Sequence, residues 1–310
     1  MFRCKKTCLS LLALPLFLLT FVIVPATPAQ ENEEPPIKIG MVSTLFTDIP
    51  TPLATFILQP FGGIMREFSG MNGKMTLGGD PMTLAKDLHD GKVDLGVFHG
   101  VEFAWAKNRY KDLRPLMVAC TKYNYAQAVL VVRKDGPAES VANLKGKAIA
   151  LPQRSREHCR LFLSKNSSDC GLDNAKLFFS QIVCPGSVEG ALDDVCLDKV
   201  QAAVVDLVAL EQYQDIKPGC FKRLKVLRPS EHFPTGAIAY REGAIPEKIL
   251  TKFRAGLIAA NKTERGREQM RMFNITSFEP VPDDYNQMLA DIMKIYPPPT
   301  TVVSPVSSPR

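Results

Sequence analysis

The apolar positions along this chain switch repeatedly between a two-residue and a helical period. Ile37-Lys-Ile-Gly-Met-Val42 alternates and predicts a first strand, with Ser43-Thr-Leu-Phe-Thr-Asp48 as a polar loop after it. A helix is predicted over residues 53–68, kinked or split at Pro60, which has no N–H for the helical ladder. Lys74-Met-Thr-Leu77 reads as a second strand. Asp80 then caps a helix reaching about His89, with Pro81 in the first helical position, where its fixed φ costs nothing. Residues 95–98 form a third strand, 101–107 the next helix and 113–119 a further strand.

The second half repeats this alternation. Residues 126–133 are a long β-branched strand that carries the chain into a second region. There 141–150 reads as a short helix, a glycine turn and a strand, followed by the loop Pro152-Gln-Arg-Ser-Arg156. A helix over 157–165, a strand over 178–183, a helix over 188–197 and a strand over 202–205 come next. The strand 224–228 returns, 235–240 pairs back into the first region, and amphipathic helices at 246–261 and 283–295 close it. Strands alternating with helices predict an α/β fold with mainly parallel sheets covered on both faces.

Two segments say nearly the same thing 107 positions apart. Asp87-Leu-His-Asp-Gly-Lys-Val-Asp-Leu-Gly-Val-Phe-His99 matches Asp194-Val-Cys-Leu-Asp-Lys-Val-Gln-Ala-Ala-Val-Val-Asp206. Each is a helix end, a turn around a lysine, an apolar strand, and one polar residue where the strand stops. A unit used twice predicts two similar lobes. Ligands of open α/β sheets bind outside the carboxyl ends of strands, so His99 and Asp206 fall where a shared ligand would sit.

The N-terminus changes the compartment. Arg3, Lys5 and Lys6 precede an apolar run over 9–24 that contains Pro15, and small residues near 26–29 suit cleavage. A signal peptide over 1–29 and a periplasmic protein are expected; an uncleaved anchor is the alternative, disfavoured by the shortness of the run. The net charge of +6 drops to +3 without those three basic residues, a mild balance that gives no argument for nucleic acid. Residues 37–127 with 233–295 are expected as one lobe, 128–232 as the other, and 296–310 as a disordered Pro/Ser/Thr tail.

Six cysteines follow the signal: Cys120, Cys159, Cys170, Cys184, Cys196 and Cys220. Export makes disulfides within the second lobe an expectation, although the sequence leaves all 15 pairings open. No Cys-x-x-Cys with matching histidines occurs, so neither a zinc site nor another cofactor is expected. No Gly-x-Ser-x-Gly or P-loop occurs either. An enzyme using His99 with Glu102 or Asp206 as acid–base groups is the weaker alternative.

The order of elements resembles a two-lobed type II periplasmic substrate-binding protein over roughly residues 37–295. The likeness is strongest to the phosphonate/phosphite/phosphate ABC-transporter binding family. It is carried by Ile39-Gly-Met-Val-Ser-Thr, Gly91-Lys-Val-Asp-Leu-Gly-Val-Phe, Leu130-Val-Val-Arg-Lys-Asp135, Leu144-Lys-Gly-Lys-Ala-Ile-Ala150 and Val200-Gln-Ala-Ala-Val-Val-Asp206. The resemblance implies a monomeric, non-catalytic receptor that closes over a small anion and delivers it to a membrane permease. A receptor that signals to a sensor partner is the alternative. Two loops depart from the family: Phe98-His-Gly-Val-Glu102 replaces an aromatic-Gly-Pro-Ser/Thr turn, and Arg154-Ser-Arg-Glu157 replaces a Ser/Thr-Ser-Gly turn.

The candidate ligand residues follow from these loops. Ser155 is expected to cap the helix after it, with Arg154 and Arg156 taking an anion at that helix N-terminus. Ser43 and Thr44 would donate hydroxyls, or serve only as turn residues. His99 would face the anion with a raised pKa, and Glu102 would orient it or cap the next helix. Tyr123 would stack on the ligand beside Tyr125, and Asp206 would accept from it or pair with an arginine. Trp105 belongs to the core.

Overall fold

The computed structural model describes residues 36–299 except 48, 51, 57, 59–65, 68, 69, 273 and 274. The predicted signal segment and residues 300–310 lie outside the described residues, as does much of the predicted 53–68 helix, of which 52–56 are helical. The described residues fall in one compact unit.

The chain opens with β1 (Ile37–Met41), a 3₁₀ turn (Ser43–Phe46), β2 (Gly73–Leu77), α1 (Pro81–His89), β3 (Leu95–Phe98), α2 (Gly100–Arg109) and β4 (Leu113–Cys120). Then come β5 (Tyr125–Ala126), β6 (Ala128–Arg133), a 3₁₀ turn (Val141–Leu144), β7 (Ala148–Ala150), α3 (Glu157–Ser168), α4 (Ala175–Phe178), β8 (Gln181–Val183), α5 (Val188–Cys196) and β9 (Ala202–Asp206). It continues with α6 (Leu207–Ile216), α7 (Pro218–Phe221), β10 (Leu224–Pro229), β11 (Phe233–Pro234), β12 (Gly236–Arg241), α8 (Glu247–Ala260), α9 (Glu264–Met272), β13 (Ser277–Glu279) and α10 (Tyr285–Ile295).

Two sheets result. The first has the order β13-β4-β12-β3-β1-β2 and the second β10-β6-β9-β7-β8, with a small β11-β5 ribbon beside them. The pairings run β1, β2, β3 and β4 in one direction in the first sheet, and β7, β8, β9 and β10 in one direction in the second. The inverted strands are β12 and β13 in the first sheet and β6 in the second. β6 and β12 are also the strands that follow the two arms of the β11-β5 ribbon, so each enters its sheet from that connection.

Alternation along β6 explains its continuous apolar sequence. Ala128, Leu130 and Val132 pack with Phe162 and Val204 on one face, while Val129 and Val131 pack with Leu192 and Val205 on the other. A strand covered on both faces has no polar side to display. The first sheet is likewise covered twice, by the Phe98–Trp105–Tyr285 cluster and by the Leu95–Met117–Phe253 cluster.

The twin segments fold alike. Lys92 N–H and Val93 N–H both donate to the Asp87 carbonyl, at 2.8 and 3.3 Å; Lys199 and Val200 do the same to Asp194 at the same distances. Lys92 Nζ pairs with Asp87, and Lys199 Nζ with Asp194. The turn needs a left-handed residue, supplied by Gly91 at φ +74° and by Asp198 at φ +61°.

Several expectations change. The predicted 126–133 strand is two strands broken at Gln127, and Phe178 ends the helical turn α4 rather than starting a strand. Helices α6 and α9 and strand β13 were not anticipated. Tyr296, expected in a disordered tail, is buried: its hydroxyl donates to Glu231 at 2.6 Å and its carbonyl accepts from Trp105 Nε1 at 2.8 Å. Cys196 and Cys220 face each other at 2.7 Å between sulfurs, the pair among the six best placed for the expected disulfide, and none of the six is bonded to another here.

Candidate functional site

A cavity of about 30 Å³ lies where β3, β4, the β5–β11 ribbon, β12 and the start of α3 converge. That is roughly two to three times the space one water needs. Its lining includes His99, Thr121, Tyr125, Arg156, His158 and Thr235.

The α3 end is built for negative charge. Arg156 is its N-cap residue, in an extended conformation, and no side chain caps the helix. A helix start leaves N–H groups without intrahelical partners and carries a partial positive charge. The expected Ser155 cap is not formed: the Ser155 hydroxyl donates to the Pro152 carbonyl at 2.6 Å, tightening the loop in which Arg154 takes a left-handed φ of +58°. Arg154 is exposed and does not line the cavity, whereas Arg156 does.

His158, one turn-position further, was not anticipated. Its ring is 5% exposed, and its Nε2 lies 3.0 Å from Asp206 Oδ2. Asp206 caps α6 by accepting from the Val208 N–H at 2.9 Å. Burial pushes its carboxyl up, but the His158 ring, the Arg156 charge and the Val208 N–H outweigh burial and hold it below the usual carboxylate range.

His99 faces the cavity from the end of β3. Its Nε2 is fully enclosed and unpartnered. The expected rise of its pKa is reversed. Burial, then the neighbouring Arg156 and His158, drive it down to about 3, so the ring is neutral. Thr235 Oγ1 is a further buried atom without a nitrogen or oxygen partner, beside the Cys120 thiol.

Glu102 is fully buried and serves behind the cavity. It accepts from the Thr44 hydroxyl at 2.7 Å and from the His99 N–H at 3.2 Å. Of the two alternatives read from the sequence, the cap is formed: the bond to the His99 N–H is half of a capping box at the start of α2. Burial raises its pKa to about 8, against the two hydrogen bonds. Thr44 is spent on Glu102, and Ser43 is exposed with its N–H on the Gly79 carbonyl. Neither lines the cavity.

The aromatic wall is Tyr125, which stacks on His232 at 3.8 Å and on Tyr123 at 5.2 Å. Tyr123 stands one ring further out and donates to Glu211 at 2.7 Å, with Lys122 on the other oxygen at 2.9 Å. Of the sequence candidates, then, His99 and Arg156 meet in the cavity, Asp206, Glu102 and Thr44 stand behind it, and Ser43, Tyr123, Arg154 and Ser155 lie outside. His158, Thr121 and Thr235 were missed. His158 had one signal: it follows Arg156 by two positions at a helix start.

Among the described residues no helix is long and apolar enough to cross a membrane. No curated protein matches the chain. Solved structures share its fold. One is a Xanthomonas citri protein bound to ATP, 17% identical, covering 84% of this chain and 96% of its own, TM-score 0.59. A binding-protein component of an ABC phosphonate transporter from Pseudomonas aeruginosa is 17% identical, covers 84% and 85%, and gives 0.55. PhnD1 of Prochlorococcus marinus in complex with methylphosphonate is 13% identical, covers 83% and 97%, and gives 0.54. The architecture is the type II periplasmic-binding-protein fold. The family model described as "ABC transporter, phosphonate, periplasmic substrate-binding protein" matches residues 55–285, and the chain belongs to that family of transporter binding components.

Proposed function

We propose that this protein is exported by its N-terminal segment and captures a small oxyanion of the phosphonate, phosphite or phosphate kind for an ABC permease. The anion sits between a lobe of residues 37–127 with 233–295 and a lobe of residues 128–232. One observation carries this reading: the uncapped start of α3, Arg156, the His158 ring paired with Asp206, and the unpartnered atoms of His99 and Thr235 meet at one small cavity. Buried polar atoms without partners cost stability, and a bound ligand that satisfies them recovers it. Arg156 and the α3 amides supply positive potential, Tyr125 an aromatic wall, and Asp206 fixes His158 from behind. The β5–β11 ribbon is where the chain passes between the two sheets, so it is the natural hinge for closure.

Thermal melting against phosphate, phosphite, methylphosphonate, sulfonates and carboxylates tests the proposal. A true ligand at 100 times its Kd stabilises by about 2.7 kcal/mol. Arg156→Ala should abolish that shift. If no anion raises the melting temperature, the reading fails.

A further inference from the structure

Resting on that reading, we infer that Tyr285 and Tyr296, at the two ends of α10, are positioning residues for the anion: together they hold residues 233–235 as the wall against which the start of α3 comes to rest.

Both tyrosines reach the same short stretch of chain. The Tyr285 hydroxyl, at the first residue of α10, donates to the Thr235 carbonyl at 2.7 Å. Tyr296, the residue that ends α10, lays its ring 4.7 Å from that of Phe233. Its hydroxyl donates to Glu231 at 2.6 Å, just upstream of that stretch. Phe233 stands between Tyr296 and the ligand side. Its ring is also 5.6 Å from that of His158, and His158 pairs with Asp206. The line Tyr296–Phe233–His158–Asp206 therefore runs from the C-terminal helix, across the ribbon, to the helix starts around the cavity. Leu161, three residues after His158, packs on the cluster that contains Phe233 and Tyr296, so α3 leans on this wall along a full turn.

The wall needs this support. β11 is two residues long and pairs with the two residues of β5. A two-stranded ribbon of that length cannot hold its own place. The buried aromatic contact and the hydrogen bonds from α10 fix it instead. Phe233, Thr235 and His158 all line the cavity, so a shift of this stretch is a shift of the site. Binding groups must be held within about 0.5 Å of their working geometry by such supporting contacts. Neither tyrosine lines the cavity; each acts through the residue it holds. The molecule also carries a reporter. Trp105 is the one tryptophan of the chain, and its Nε1 donates to the Tyr296 carbonyl at 2.8 Å.

Calorimetric titration of phosphate and methylphosphonate into the full exported chain, with Trp105 emission read on the same samples, tests the inference. Tyr296→Leu, which removes both ring and hydroxyl, should weaken binding about tenfold or more. Tyr296→Phe, which keeps the ring on Phe233, should recover it to within about threefold of wild type. Tyr285→Phe, which loses the bond to the Thr235 carbonyl, should weaken binding by about three- to tenfold. Leu250→Ala, in the core on the other face of the first sheet, separates out a purely structural role. It should lower the melting temperature as Tyr296→Leu does and leave Kd within about twofold of wild type. All titrations run well below every melting temperature. In wild type, Trp105 emission should change with the same midpoint as the heat. Should Tyr296→Leu not fold, Tyr285→Phe and the emission decide. Wild-type affinity in Tyr296→Leu or Tyr285→Phe, equal weakening in Leu250→Ala, or an unchanged Trp105 emission overturns the inference and leaves the anion receptor standing. Binding of neither anion by wild type overturns both.

Discussion

His158 Nε2 and Asp206 Oδ2 stand 3.0 Å apart, joining the start of α3 to the cap of α6 directly behind the cavity. Asp206 thus holds two N-terminal structures in register: the helix it caps, and the ring that faces the cavity. Asp206→Asn keeps a capping oxygen for Val208 and removes the negative charge beside a ring 5% exposed. It should lower stability by about 1–3 kcal/mol and weaken anion binding. The folded carboxyl sits below its usual pKa, so its stabilisation is complete above ~pH 3.9 and is lost as pH falls through the depressed value. Melting curves from pH 3 to 7 should show wild type losing stability at the acid end more steeply than Asp206→Asn. Parallel curves would sink the assignment.

Glu102 has the opposite sign. Its pKa is raised to about 8, so the folded state favours the protonated carboxyl. That contribution is whole below ~pH 4.3 and is lost as pH rises toward 8. The loss is bounded at roughly 5 kcal/mol, reduced by whatever relaxation the site allows. Glu102→Gln should flatten the decline in melting temperature between pH 5 and 8. A slope equal to that of wild type would show that the carboxyl ionises without cost.

What the chain announced and what it hid divide along a physical line. Periodicity placed β1, β3, β9 and α1 because each is decided locally, by alternation or by the Asp80-Pro81 cap. The twin segments placed two strand ends, and the bond patterns at Asp87 and Asp194 repeat as their sequences do. The inversion of β6 and β12 has no local signature, since it depends on which strands each finds as neighbours. The same holds for the site. His99 was visible as a strand-end residue, but its neutrality depends on burial beside Arg156 and His158, contacts across 57 and more positions of sequence. Ser155 looked like a cap by residue type, and the Pro152 carbonyl took its hydroxyl instead.

Gly100, the first residue of α2, tests how tightly the cavity wall is built. A Cβ there would lie 2.1 Å from the Pro234 carbonyl oxygen on β11. Backbone on both sides leaves no flexible group to yield. Gly100→Ala should destabilise by about 1–3 kcal/mol, lowering the melting temperature by roughly 2–4 °C for each kcal/mol. It should also weaken anion binding, because His99 and Pro234 line the same cavity. A stable variant with normal affinity would mean that β11 gives way freely.

Cys196 and Cys220 test the remaining expectation about oxidation. Their sulfurs are 2.7 Å apart and their positions 24 residues apart, at the end of α5 and within α7. The other four thiols are dispersed: Cys120 and Cys159 lie in separate cores, Cys170 is partly covered and Cys184 is exposed. Oxidation should therefore give one link, Cys196–Cys220, found by peptide mapping without reduction. Closing that loop should stabilise by about 3 kcal/mol, and reductant should reverse the gain. Alkylation of the native protein should reach Cys184 first. Cys159, whose thiol burial holds well above its ordinary pKa, should react only after unfolding. A link from Cys184 to any partner in the folded protein would contradict this arrangement, in which Cys196 and Cys220 are the described pair whose sulfurs meet.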